Sequence, residues 1–266
     1  ALSNSNLGCR IRGIFVGAFM YADDLILLSA SVADLQKMVE LCACELVNID
    51  MIVNTSKTMC LRIGPCYKNV CAEIVLFQQR LRWVSVIRYL GVFLVSYSVF
   101  KLCLDEARRK FFYCLQLSKV GTHKFDVVLS LITSFCVPSL MYALEAVDLN
   151  KTDCNRLDNP FTMIFSKLFG SYNRKTVHDC QFYTGYLPLR YVLDLRKLRF
   201  LKKLQLLEND NFTVYYLFTL NGLNEFVSCA SKYNASMSDS DTTLNSKIWT
   251  FFCKEQIGRA SCRERV

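Results

Sequence analysis

Long apolar runs are missing from this chain. A helix that crosses a bilayer needs about 20 consecutive apolar residues, and Asp23 and Asp24 interrupt the first candidate while Arg88 interrupts the one between Val84 and Phe100. No transmembrane helix and no membrane partner are therefore expected. Histidine is also scarce: His123 and His178 are the only two, and neither takes a role. The 14 cysteines lack the paired C-x-x-C spacing of a zinc site and the density of a small disulfide framework, so they read mostly as reduced core residues. Cys42 and Cys44, the closest pair, have no histidine near them in sequence, which favours helix packing over metal binding. No internal repeat is present. No charged start with a short apolar core and a cleavage site occurs, and the first residue is Ala1 rather than methionine. The chain is expected to be a piece of something longer, acting inside the cell, in cytoplasm and nucleus.

What the chain has in quantity is apolar material, 52% of 266 residues, enough for one large domain or two small ones. Lysine and arginine outnumber aspartate and glutamate, 32 to 23, for a formal charge of +9. The last ten residues, Ile257 to Val266, resemble the translation of a sequencing-library adapter. Leaving out their three arginines and one glutamate takes the charge to +7. That excess suits a polyanionic partner.

The pattern along the chain predicts an α+β fold. Gly13 to Met20 and Leu25 to Ser29 flank an acidic turn as a buried β-hairpin would. Ser31 is placed to cap a helix with Asp34 three residues on, and Leu35, Met38, Val39, Cys42 and Leu46 follow at helical spacing. Met59 to Ile63, Ile74 to Phe77, Leu81 to Val84 and Ile87 to Leu94 read as strands, giving antiparallel strands packed on a helix over residues 1–98. From Lys101 the pattern turns helical and glycine-poor, which sets a second domain over 99–224. Leu104, Ala107, Phe111 and Leu115 share one face there. Phe125 to Val137 is a helix that Pro138 breaks or kinks, with shorter helices at Met141 to Val147 and Pro160 to Phe169. Arg190 to Leu207 is the most basic helix. Residues 225–256, rich in serine, asparagine and aspartate near 231–241, are expected to be loosely ordered.

The sharpest local feature is Tyr21-Ala22-Asp23-Asp24. Two adjacent carboxylates between apolar runs are hard to bury without a bound positive charge, and oxygen-only ligands favour magnesium or manganese over zinc. Taken alone, the tetrapeptide fits a solvated turn equally well. It is followed in order by Asn54-Thr55-Ser56-Lys57-Thr58 and by Tyr89-Leu90-Gly91-Val92. With these three segments the stretch from about Gly8 to Val92 resembles the C-terminal half of the palm of a reverse transcriptase from a non-LTR (LINE-type) retrotransposon.

The resemblance implies a function and a set of roles. The chain would be a fragment of an RNA-directed DNA polymerase: a half-palm followed by a helical thumb, working on an RNA template, a DNA primer and deoxynucleoside triphosphates. Nucleotidyl transfer in such enzymes uses two divalent cations about 3.5 to 4 Å apart. Asp23 would be the direct ligand of Mg2+ or Mn2+ and Asp24 the supporting one, with Tyr21 and Ala22 shaping the turn. Lys57 would face the triphosphate and protonate the leaving pyrophosphate. Tyr89, Leu90 and Gly91 would form the strand that grips the primer end, the glycine allowing close backbone approach. Arg196, Lys197 and Arg199 on the basic helix would meet phosphates of the duplex, although such a charge run equally describes a solvated face. The upstream metal-binding aspartate, the nucleotide-selecting loop and the fingers of that family have no counterpart in these 266 residues, so the fragment alone is expected to be inactive. Two alternatives remain: a non-catalytic nucleic-acid-binding remnant, and a structural or interaction protein whose acidic turn is incidental.

Overall fold

The computed structural model describes residues 2–118, 125–207 and 212–261; His123 and the last five residues lie outside them. The chain divides into two compact units, Ala1–Cys103 and Leu104–Val266. The expected boundary at 98 falls short because the chain after β-structure turns back on itself. Leu102 bridges to Leu94, and the Cys103 N–H donates to the Phe93 carbonyl at 2.8 Å.

The first unit is built from short hairpins. Its strands are β1 (Arg10–Ile11), β2 (Ile14–Phe15), β3 (Ala18–Tyr21) and β4 (Asp24–Leu27), then helix α1 (Val32–Val47), then β5 (Met59–Leu61), β6 (Ile74–Leu76), β7 (Gln79–Val84), β8 (Val86–Tyr89) and β9 (Val92–Val95). Four antiparallel pairs close through two-residue loops: Arg12-Gly13, Ala22-Asp23, Phe77-Gln78 and Leu90-Gly91. Three of these loops carry positive φ at both positions, the geometry of a type I′ turn, which suits the right-handed twist of the flanking strands. The expected strand from Ile87 to Leu94 is thus two strands with Leu90 (φ 44°) and Gly91 (φ 85°) at the bend.

Helix α1 forms as its sequence dictates. The Ser31 side-chain oxygen accepts the Asp34 N–H at 3.0 Å, which satisfies one of the free donors at the helix start. Its inner face buries Met38 and Ala43. Ala43 joins Cys60, Ile74, Leu76 and Leu81 in a small core, with Val32, Leu35, Val39 and Trp83 packed around it. The strands beneath are ordered β5-β7-β6. One of those pairings departs from the antiparallel expectation: β5 runs parallel to β7, with Met59 opposite Arg82. The β6 edge is closed by a side chain, since the Gln36 amide donates to the Val75 carbonyl at 2.7 Å and accepts its N–H at 2.8 Å. Such a cap blunts an edge that would otherwise invite pairing.

The second unit is helical: α2 (Leu104–Ser118), α3 (Phe125–Leu131), α4 (Val137–Leu140), α5 (Lys151–Leu168), α6 (Arg174–Tyr183), α7 (Leu189–Gln205), α8 (Phe212–Leu217), α9 (Leu223–Ser231) and α10 (Asp241–Ser261). Two prolines lie within helical stretches. Pro138 does not end the helix before it, because a π-helical turn over Ile132–Cys136 joins α3 to α4. A wider turn accommodates the missing N–H that a regular helix would leave as a gap. Pro160 sits buried inside α5, which begins nine residues earlier, at Lys151, where the Asn150 side chain caps the Asp153 N–H at 2.8 Å. Met141 to Val147 is a turn with Ala143 at φ 61° and one 3-10 turn, not a helix.

The expectation of a loosely ordered 225–256 is corrected here. Phe226, Cys229, Ala230 and Tyr233 join Leu244, Ile248 and Phe252 of α10 and Tyr191, Leu195, Leu198 and Leu201 of α7 in one core. Leu244, Ile248 and Phe252 recur every four residues and make one buried stripe. The serine-rich stretch ahead of them is the connection that caps this helix: Ser240 accepts the Thr243 N–H at 3.1 Å, and Asp239 accepts the Ser236 N–H at 2.8 Å. Helix α10 continues to Ser261, into the ten residues expected to be an adapter scar. Among the described residues no helix is long and apolar enough to cross a membrane.

Candidate functional site

Tyr21 and Asp24 are paired across the β3–β4 ribbon, so Ala22 and Asp23 are its two-residue loop. Ala22 has φ 52°. A side chain in that region crowds the following carbonyl at a cost of about 1 to 2 kcal/mol, and glycine is the usual occupant. The sequence tolerates this strain at the tip of the ribbon, next to its two carboxylates.

The burial expected of this hairpin is not found. Tyr21 is 65% exposed and Met20 66%, and Phe19, Leu25, Asp23 and Asp24 are exposed as well. Only the far end of the ribbon is covered, where β4 packs on α1, and the Leu28 N–H and carbonyl bond Gly17 and Cys9 at 2.7 and 3.0 Å. Exposed as it is, the pair needs no bound cation to offset burial. The two carboxylates are solvated, and among the described residues no side-chain hydrogen bond or ion pair reaches either of them. As donors they fit one hard cation whose remaining ligands are water. They do not complete a two-cation site, since no group of three or more histidine, cysteine, aspartate or glutamate side chains able to hold a metal occurs among the described residues.

Lys57 lies in a knotted loop. The Asn54 side chain accepts the Lys57 N–H at 3.2 Å and the Ser56 hydroxyl at 2.7 Å, while the Asn54 carbonyl accepts the Thr58 N–H at 3.0 Å and its hydroxyl at 2.8 Å. This Asx-type turn fixes the backbone that presents Lys57 and leaves its side chain exposed. Two residues that the sequence reading passed over hold the loop to the sheet: Thr55 bonds Gln79, and Arg82 donates to the Ser56 carbonyl at 3.4 Å. The signal for Arg82 was the alternation of Arg80 and Arg82 along β7, whose other face carries Leu81 and Trp83; Gln79 begins the strand on that second face. No hydrogen bond or ion pair joins Lys57 to Asp23 or Asp24.

Tyr89 ends β8, and Leu90-Gly91 is the loop that leads into β9, so the expected strand is a tight turn. Gly91 is accounted for by its φ of 85°. Strand β8 packs against β5, the strand that follows Lys57. The second and third segments of the resemblance therefore belong to one strand assembly, and the first to a separate ribbon on α1.

The basic helix differs most from its expected part. Arg196 pairs with Glu145 at 3.3 Å, Arg199 with Asp241 at 3.5 Å, and Lys197 with Asp148 at 2.7 Å and also with Glu225. The Lys197 side chain is only 19% exposed. Burial works against its charge, yet its hydrogen bonds to Asp148 and Glu225 hold its pKa above the ordinary value. Desolvation raises the Glu225 carboxyl, and its hydrogen bond lowers Asp148, so the two carboxyl groups and one ammonium act as a unit. These three cations tie α7 to the turn before α5, to α9 and to α10 rather than facing a phosphate. The charge run made α7 look solvent-facing in sequence, whereas Arg196, Lys197 and Arg199 are half-buried ties to neighbouring segments.

Comparison with protein families, with curated proteins and with solved structures finds no match to this chain.

Proposed function

We propose that the chain is part of an RNA-directed DNA polymerase of the non-LTR retrotransposon kind, its first unit a partial palm and its helical unit a thumb-like region. The observation that carries this reading is the hairpin register: Tyr21 opposite Asp24 puts Asp23 and Asp24 at an exposed, strained tip, with no cation among the described residues using their charge. Carboxylates at a rigid turn suit the geometric demands of in-line displacement. Asp23 and Asp24 would hold Mg2+ or Mn2+, which when bound supplies charge for the primer hydroxyl and the departing pyrophosphate. Lys57, presented by the Asn54 turn, would face the triphosphate, and the Tyr89–Gly91 turn would lie along the primer. RNA template, DNA primer and deoxynucleoside triphosphates are the partners of this reading.

Manganese titration by calorimetry tests it. The chain should give a weak binding heat that Asp23→Ala abolishes; equal heats from both proteins would defeat the assignment. A second reading, a nucleic-acid-binding remnant without catalysis, is favoured by the donor set of two carboxylates. It would show as duplex binding with no manganese heat in either protein.

A further inference from the structure

The second unit holds a cavity of about 230 Å³ where α5, α6, α7 and α10 meet. An apolar cavity of about 150 Å³ takes a benzene ring, so this one has room for a bicyclic ring. It is too small for a drug-sized ligand, which needs about 300 Å³ or more. Leu193 and the fully buried Phe252 form its apolar wall. The Phe252 ring is held by Tyr191 at 5.2 Å, Trp249 at 5.6 Å and Phe182 at 5.9 Å, so that wall is in place before any ligand arrives.

Two opposite charges line the cavity without closing on each other. Asp158 of α5 accepts the Thr162 hydroxyl at 3.3 Å and pairs with Arg174 at 3.8 Å, both through Oδ2. Arg190 of α7 pairs with Glu255 and donates to the Tyr191 hydroxyl, both through Nη2. Among the described residues Asp158 Oδ1 remains an open acceptor, and Arg190 Nη1 and Nε remain open donors. The side-chain amides of Asn155 and Gln256, on the same wall, are likewise unpaired among them. Each charge already has an ion partner, so a neutral ligand with dipolar edges balances the site. A further ion would give up its hydration to compete with Arg174 or Glu255.

We propose that this cavity is a binding site for the guanine base of a free nucleotide. A guanidinium donates two parallel hydrogen bonds to the O6 and N7 acceptors of guanine, and an acceptor-only carboxylate takes the N–H donors of the ring's other edge. Adenine presents an amino group in place of O6 and a bare ring nitrogen in place of the N1–H, so it meets donor with donor and acceptor with acceptor. The amides of Asn155 and Gln256 both donate and accept, which lets them serve the remaining edge groups. Sugar and phosphate stay outside, since the volume suffices for the base alone. The site uses none of the residues of the polymerase reading and does not rest on it.

The test is equilibrium dialysis of the full chain against guanosine, adenosine and xanthosine monophosphates, without divalent metal. The three share sugar and phosphate, so differences report the base. Guanosine monophosphate should bind at least about tenfold more tightly than adenosine monophosphate, and free tryptophan, a bicyclic zwitterion, should bind more weakly than either. Asp158→Asn should weaken guanosine monophosphate about tenfold and strengthen xanthosine monophosphate, because xanthine has a carbonyl in place of the 2-amino group and the new amide donates to it. Loss of folding would weaken both nucleotides, so the crossover separates recognition from stability. The proposal is overturned by any of four results: no retention of guanosine monophosphate at millimolar concentration, equal affinity for adenosine monophosphate, tighter binding of tryptophan, or no gain for xanthosine monophosphate in Asp158→Asn. Its readout is metal-free nucleotide affinity, so its failure is distinct from failure of the manganese test.

Discussion

Gln181 is 1% exposed, and among the described residues neither end of its side-chain amide has a hydrogen-bond partner. It faces inward from α6 one turn after the fully buried Val177, and its backbone carbonyl is occupied by the Tyr186 N–H at 2.8 Å. A buried amide without partners is unfavourable by about 1 to 3 kcal/mol. Gln181→Met, nearly the same shape without the polar atoms, should therefore stabilise the second unit by about 1 to 2 kcal/mol. Urea unfolding followed by the fluorescence of Trp249, which stacks on Phe182 at 6.3 Å, reads the change. A loss of stability would mean that the amide holds an internal water. Nothing in the sequence marks this glutamine: burial at one residue follows from which face of α6 the rest of the unit covers. The acidic turn shows the opposite limit. Its position was legible from Tyr21 to Asp24, but its exposure was not, because apolar residues on a two-stranded ribbon look the same whether or not a layer covers them.

At the scale of elements, the hairpins show which turns can be read and which cannot. Arg12-Gly13 and Leu90-Gly91 have glycine at the second position, a recognised signal. Phe77-Gln78 has neither glycine nor asparagine, yet takes φ 50° and 61°, so the expected strand there ran one residue too far. The register of β6 and β7 is set instead by burial of Ile74, Leu76 and Leu81 on one face. The two strained residues carry a penalty that the packing overrides. Phe77→Asn with Gln78→Gly should relieve it and raise stability by about 1 to 2 kcal/mol, seen as a higher melting temperature by circular dichroism. A lower one would show that the half-exposed Phe77 ring supplies more through packing than the backbone loses. The start of helix α1 was legible to the residue because its cap, Ser31, is local. The pairings that fix α7 were not, since Glu145, Asp148, Glu225 and Asp241 lie 42 to 51 residues away or on other helices.

On the scale of the whole molecule, Cys60 and Cys229 bear on stability as thiols, outside any disulfide. In the second unit burial pushes the Cys229 thiol from 9.0 up to about 12 and the Tyr191 hydroxyl from 10.0 up to about 12, and it raises Tyr233 in the same core. In the first unit burial pushes Cys60 from 9.0 up to about 11. A group whose pKa is higher folded than unfolded contributes stability that is complete below its unfolded pKa and is lost as pH rises toward the folded value. Both cores should accordingly weaken from about pH 9 upward, the second continuing to about pH 12. The general charge effect runs the other way: deprotonation of lysines lowers a net charge of +9 and relieves self-repulsion. A fall in stability between about pH 9 and 10 therefore isolates the buried thiols and phenols; above about pH 10.5 loss of the Lys197 ammonium, whose pKa is also raised, adds to it. Urea midpoints measured by Trp249 fluorescence between pH 8 and 11 should fall in the wild-type chain. In Cys229→Ala they should start lower, for the lost sulfur packing, but fall less steeply. Parallel pH profiles for the two proteins would show that Cys229 titrates as freely in the fold as it does in the unfolded chain.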